Sequence, residues 1–83
     1  MDILESIVEA YNDELILKAD GFDKAVIGID SKSMRLIYSV KLCIQILMED
    51  EEMTEEDAME HFSYNVEGGY VGEQTPIWCQ DNF

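Results

Sequence analysis

Residues 40–48 read Val-Lys-Leu-Cys-Ile-Gln-Ile-Leu-Met, seven apolar side chains in nine positions. Val40, Cys43, Ile44, Leu47 and Met48 recur at helical spacing on one face, and Leu42 and Ile46 widen that face until little polar surface is left. A helix of this kind has to be surrounded. In a chain of 83 residues it is the element about which one small domain condenses, and there is no room for a second. Ser39 stands where an N-cap would accept hydrogen bonds from free amides, and the acids 50–52 end the pattern.

The other elements follow from shorter patterns. Ile3, Leu4, Ile7, Val8 and Tyr11 predict an amphipathic helix over about 2–12, with Asp2, Glu5 and Glu9 on its outer side. Three apolar runs, 15–17, 25–29 and 35–38, are read as short strands, with Ser31, Lys32 and Ser33 as a polar connector between the last two. Thr54 followed by Asp57 resembles a capping box, and Ala58, Met59, Phe62 and Val66 give the next helix its apolar stripe. Gly68-Gly69 is expected to stop that helix in a left-handed conformation. The fold class predicted is α+β, a single domain over 1–83 with three helices packed on a two- or three-stranded sheet, and with an irregular C-terminal segment over 68–83. Within that segment, residues 70–78 are aromatic, apolar and punctuated by Gly72 and Pro76. They are expected either to cover the core in extended form, the heavier of the two alternatives, or to present Tyr70 and Trp78 as interface anchors.

Charge excludes more than it identifies. The formal net charge is −14, and it is divided unequally: residues 1–41 carry eight acids and all five bases, whereas 42–83 carry eleven acids and no base. Nucleic-acid binding draws its affinity from Lys and Arg that displace counterions, so no direct nucleic-acid partner is expected, and an anionic membrane is disfavoured for the same reason. No apolar run approaches the roughly 20 residues that span a bilayer. Asp2 and Glu5 stand where a signal peptide would need positive charge, so a cytoplasmic location is expected. A basic protein surface is the partner such a field would steer. A chain this small and this apolar is also expected to self-associate.

Catalytic chemistry finds little support. Cys43 lies within the apolar helix, and with one other cysteine, Cys79, and one histidine there is no zinc-ligand spacing, so neither metal nor cofactor is expected. His61 has Asp57 one turn before it, an arrangement able to raise its pKa, but a boundary or surface histidine is the better account. Asp20, Asp23 and Asp30 lack calcium-loop spacing and read as turn residues. Gly68, Gly69 and Gly72 are followed by no Lys-Ser/Thr pair of a phosphate loop. The acids at 49–52, 55–57 and 60 remain, either as solvated helix ends or as a face that occupies the basic site of another protein.

A set of residues resembles a known family. Gly21-Phe22-Asp23, Ala25, Gly28, Tyr38, Lys41, Ile44, Ile46-Leu47-Met48, Met53-Thr54-Glu55-Glu56, Ala58, Glu60, Phe62, Asn65-Val66, Gly68, Tyr70-Val71-Gly72-Glu73 and Thr75-Pro76 are similar to a recurrent small protein of tailed phages, prophages and plasmids ending in FNV-x-GAYVGE-x-TP. The similarity covers roughly residues 20 to 78. The chain departs from the pattern at His61, where an aromatic is usual, at Ser63-Tyr64 for Glu-Phe, at Gly69 for Ala, and in its short connector at 31–33. The resemblance supplies no catalytic residues and implies a small accessory protein of a mobile element acting in a host cytoplasm. With the acidic half and the lack of catalytic groups, the expectation is a non-enzymatic protein that binds a host defence or nucleic-acid-handling protein and inhibits it. Glu51, Glu52, Glu55, Glu56, Tyr70 and Trp78 are the expected contacts. The alternatives are a sponge that sequesters a nucleotide immune signal through Lys24, Lys32 and Arg35, and an interaction module with no inhibitory role.

Overall fold

The computed structural model describes residues 3–11, 16–19, 21–68 and 75–81. In chain order they form α1 (Ile3–Ala10), a single 3₁₀ turn (Asp23–Ala25), β1 (Val26–Ile29), β2 (Leu36–Ser39), α2 (Val40–Asp50), α3 (Glu55–Phe62) continued by a π-helical turn (Ser63–Glu67), and β3 (Ile77–Cys79). Three helices on a three-stranded sheet make one small α+β domain, as the patterning predicts.

The sheet order is β1-β2-β3. β1 and β2 are an antiparallel pair with Val26 opposite Tyr38, Gly28 opposite Ile37 and Ile29 opposite Leu36. The register shifts between Val26 and Gly28, so Ile27 is an extra residue on β1. Residues three apart on a regular strand face opposite sides. The bulge instead puts Val26 and Ile29 on the same side as Tyr38 and Leu36, and leaves Ile27 exposed. The connector between the strands is tied by Asp30: its backbone N–H donates to Arg35 O (2.9 Å), its carbonyl accepts from Met34 N (2.7 Å), and its carboxylate accepts from Ser33 Oγ (2.7 Å) and Lys32 N (3.3 Å). The Ser33 hydroxyl, with the Lys32 amide behind it, holds the Asp30 carboxyl below its ordinary value. Asp30 is thus the turn residue its spacing suggests.

Where it is described, the C-terminal segment takes the heavier of its two expected forms, extended chain that covers the core, with Trp78 packed against Tyr38 and Phe62. The C-terminal segment is not irregular throughout: Ile77, Trp78 and Cys79 lie parallel to Ile37, Tyr38 and Ser39, reached by a crossover through α2 and α3. Conversely, the strand expected at 15–17 is absent where it can be described. Ile16 and Leu17 are irregular, and Leu15 lies outside the described residues. That segment is positioned instead by the Tyr38 hydroxyl, which accepts from the Ala19 N–H at 2.8 Å. The third strand is supplied by the tail.

The core lies where the inner face of the sheet meets α2 and α3. Leu36, Tyr38, Cys43, Ala25 and Ala58 are completely buried, with Val26, Val40, Ile44, Leu47, Phe62 and Phe22 around them, and α1 adds Leu4 and Ile7. An aromatic file runs through it: Phe22 meets Phe62 edge-on (6.4 Å between centroids), Phe62 meets Trp78 edge-on (5.3 Å), and Trp78 meets Tyr38 at 5.1 Å. The Cys43 thiol is pushed up to about 12, by burial first and by the Asp81 charge second, so it behaves as a core hydrophobe.

Both helix caps form as the spacing predicts. Ser39 Oγ accepts from Leu42 N (3.1 Å) at the start of α2, and Thr54 Oγ1 accepts from Asp57 N (3.2 Å) at the start of α3. The stop expected at Gly68 differs. α3 widens into the π turn, and Gly68 has an ordinary right-handed conformation (φ −73°). A Cβ at Gly68 would stand 3.2 Å from Ser63 O, so the requirement for glycine here is close approach to a carbonyl rather than left-handedness. Gly69 lies outside the described residues.

Asp81 adds a second cap to α2 from the other end of the chain. Its carboxylate accepts from the Ser39 hydroxyl and from Lys41 N at 3.0 Å, anchoring the segment that carries β3 to the positive end of α2. The Ser39 hydroxyl first, and the Lys41 amide next, hold the Asp81 carboxyl below its ordinary 3.8. A carboxyl lowered in the folded state contributes its full stability above its unfolded value and loses it as the pH falls through its folded value. The wild-type chain should therefore exceed Asp81→Asn in stability by about 1 kcal/mol at neutral pH, an N-cap-sized effect. That advantage should begin to shrink below about pH 5 and be gone in strong acid. Urea titrations of both proteins across this range measure the difference, and an advantage independent of pH would exclude the charged cap.

Candidate functional site

The acids concentrate where α2 turns into α3. Glu49, Asp50, Glu51 and Glu52 are exposed at the end of α2, and Glu55, Glu56, Asp57 and Glu60 are exposed on the first turns of α3. The junction is short. The Glu51 N–H still donates to Leu47 O (3.1 Å), Glu52 takes a left-handed conformation (φ 54°), Met53 is half-buried, and Thr54 already caps α3.

The two groups of acids have different local consequences. Glu55, Glu56 and Asp57 sit in the first turn of α3, where the free N–H groups and the helix dipole favour them. Glu49, Asp50 and Glu51 sit at the negative end of α2, where no Lys or Arg offsets them in the last turn. Glu52 holds a backbone conformation that Gly or Asn adopts at lower cost. Three of the eight acids are therefore accounted for by helix stability, four are not, and Glu60 lies beyond the first turn of α3 where neither effect applies.

Of the expected contact residues, Glu51, Glu52, Glu55 and Glu56 come together at this junction. Trp78 does not join them. It is half-buried on β3 between Tyr38 and Phe62, and its Nε1 is buried with no hydrogen-bond partner among the described residues. Tyr70 lies outside the described residues.

The basic residues named for nucleotide binding do not converge. Lys24 precedes β1 and Lys32 follows it, at opposite ends of a strand that rises roughly 3.3 Å per residue. Lys24 borders a depression of about 260 Å³ shared with Asp23, Glu49 and Asp50, three carboxylates that would repel a phosphate. Arg35 is engaged in the fold. Its Nε donates to Ser33 Oγ (3.2 Å) and its Nη1 to Thr75 O (3.3 Å), fastening the β1–β2 connector to the approach to β3.

One groove was not legible as such in the sequence. Met53, Asp57, Glu60, His61, Tyr64 and Asn65 line an open depression of about 490 Å³ along α3 and its π turn, on the flank beside the core-facing Ala58 and Phe62. Tyr64 is 79% exposed. His61 Nδ1 is hydrogen-bonded to Asn65 Nδ2 (3.3 Å), so the contact that orients the ring comes from one turn later in the chain rather than from Asp57. In the sequence, Tyr64 counts only as a departure from the family pattern. Its spacing of four from Glu60 and seven from Asp57 places the three on one helical face, which is the signal that was available.

Among the described residues, no group of three or more His, Cys, Asp or Glu is placed to hold a metal ion, and no helix is long and apolar enough to cross a membrane. No protein-family model matches the chain, and no curated protein or solved structure is significantly similar to it.

Proposed function

We propose that this protein acts by stoichiometric binding, without catalysis, and that its partner is a host protein with a basic surface that it inhibits from the acidic junction between α2 and α3. The observation that carries the reading is the exposure of Glu49, Asp50, Glu51 and Glu52 at and just beyond the negative end of α2, which they oppose. Acids are exposed at the wrong end of α2, one of them on a left-handed backbone, and a function outside the fold accounts for their presence. The uncompensated charge of the second half supports it by steering a basic partner. The resemblance of residues 20–78 to a mobile-element accessory protein supports the host context.

Affinity capture from host lysate tests the reading when wild type is set beside Glu51→Gln/Glu52→Gln/Glu55→Gln/Glu56→Gln. The expected result is a partner retained one-to-one by the wild type at low salt. The neutral variant should lose it, and so should the wild type at about 0.5 M salt, where exposed charges several ångströms apart are screened. No partner, or equal retention by both proteins, would overturn the reading. Circular dichroism of the variant controls for folding, since loss of the first-turn acids of α3 costs about 1 kcal/mol.

A further inference from the structure

The groove along the flank of α3 has a composition that singles out one kind of side chain, and we infer that it is a receptor for an arginine of the partner protein. The inference rests on the proposed function for the existence of a basic partner and adds where and how that partner is read. Four features of the groove converge on arginine. Tyr64 presents its ring to solvent at 79% exposure, one helical turn beyond Glu60. Asp57 and Glu60 face the same depression as the ring. No Lys or Arg neutralises these carboxylates: the chain has none after residue 41, the ion pair between Lys18 and Asp23, at 3.5 Å, does not involve this helix, and the one basic side chain in the groove lining is His61, which is hydrogen-bonded to Asn65. Met53 supplies an apolar wall from the junction.

A guanidinium satisfies all of these groups at once. Its flat face stacks on a tyrosine ring, its edge donates paired hydrogen bonds to a carboxylate, and its aliphatic stem lies along a thioether. A lysine ammonium shares the charge but neither the plane nor the paired donors, so the groove should distinguish the two where an acidic surface alone would not. Helical spacing places Asp57, Glu60, His61 and Tyr64 along one face, and the π turn at Ser63–Glu67 continues that face to Asn65.

The test uses the full chain and two blocked peptides, Gly-Arg-Gly-Arg-Gly and its lysine twin, titrated at about 150 mM salt and followed by backbone amide shifts. The expected result is that shifts concentrate at Met53 and at residues 57–65, and that the arginine peptide binds severalfold more tightly than the lysine peptide. Tyr64→Ala should weaken the arginine peptide roughly five- to tenfold, Tyr64→Phe should restore most of the loss, and Glu60→Gln should weaken it as well. Tyr64 is exposed, so its removal leaves the core intact. Glu51→Gln/Glu52→Gln should lower both affinities alike without changing their ratio. Equal affinity for the two peptides, or a Tyr64→Ala chain that binds the arginine peptide as the wild type does, would overturn the inference. Its failure is separable from failure of the proposed function. A Tyr64→Ala chain that still captures the partner, while the four-glutamine variant does not, would sink the arginine receptor and leave the acidic junction standing.

Discussion

Replacing Tyr38 with alanine is expected to cost about 3–5 kcal/mol, the range for emptying a large aromatic site in a core. Small domains hold about 0.05–0.15 kcal/mol per residue. For a chain of 83 residues that is a total of about 4–12 kcal/mol, so this one change should leave the protein marginally folded or unfolded at 37 °C. Tyr38 is completely buried and central to the sheet. Its ring fills the space beside Trp78 at 5.1 Å, and its hydroxyl accepts from Ala19 N at 2.8 Å, fixing the segment that leads into the 3₁₀ turn. Tyr38→Phe separates the two contributions. It keeps the ring and leaves the Ala19 amide without this acceptor, so about 1–3 kcal/mol should be lost. Chemical denaturation of the three proteins measures both, and a Tyr38→Phe variant as damaged as Tyr38→Ala would show that the hydroxyl, not the ring, dominates.

Trp78→Ala is expected to cost about 3 kcal/mol, less than a fully buried tryptophan because this one is half-buried. The loss reaches further than the cavity, since β3 contains three residues and Trp78 is the one that inserts between Tyr38 and Phe62. Trp78→Phe should be much milder. It keeps an aromatic ring in the file and removes an indole N–H that is buried without a partner among the described residues, a group whose burial itself costs free energy. Thermal melts of both variants check this, and a Phe variant as unstable as the Ala variant would mean that the full width of the indole is required. The pair Tyr38 and Trp78 should also couple by about 0.5–1.5 kcal/mol in a double-mutant cycle, the usual size for aromatic neighbours. For binding assays, a Trp78→Ala chain that fails to capture a partner reports loss of the fold before it reports loss of a contact.

What was legible in the sequence was local. Ser39 and Thr54 were recognisable as caps because each hydroxyl meets an amide three residues later, and α2 because its apolar residues repeat within two and a half turns. β1 and β2 were recognisable because six residues join them and Asp30 closes the turn. β3 was not, because Trp78 is a strand residue only by virtue of Tyr38, forty positions away, and nothing within three residues of Pro76 reveals that pairing. The same is true of Asp81, whose function as a second cap to α2 depends on contact with Ser39 and Lys41. The segment at 16–19 misled for the converse reason. Its apolar residues satisfy a strand pattern, yet the segment is held by a side-chain hydroxyl from β2 and a local turn bond from Phe22 N to Ala19 O, not by a ladder to another strand. At the site, the acids could be counted in advance, but which of them favour their helix and which oppose it required the boundary between α2 and α3.

The parallel pairing of β3 with β2 also bears on how the chain reaches its native state. Closing the β1–β2 hairpin orders a six-residue connector, whereas seating β3 requires residues 77–79 to find residues 37–39 across the whole of α2 and α3, at a greater loop-closure entropy. The long-range pairing is expected to be the last to form and the first to open. While it is open, one side of β2 has unpaired backbone groups beside Tyr38 and Phe62, an adhesive edge of the kind through which chains aggregate. Two molecules caught in that state still each carry −14 charges, most of them on the half that includes the loosened strand. Mutual repulsion then works as a kinetic safeguard, allowing β3 time to return before a second chain takes its place.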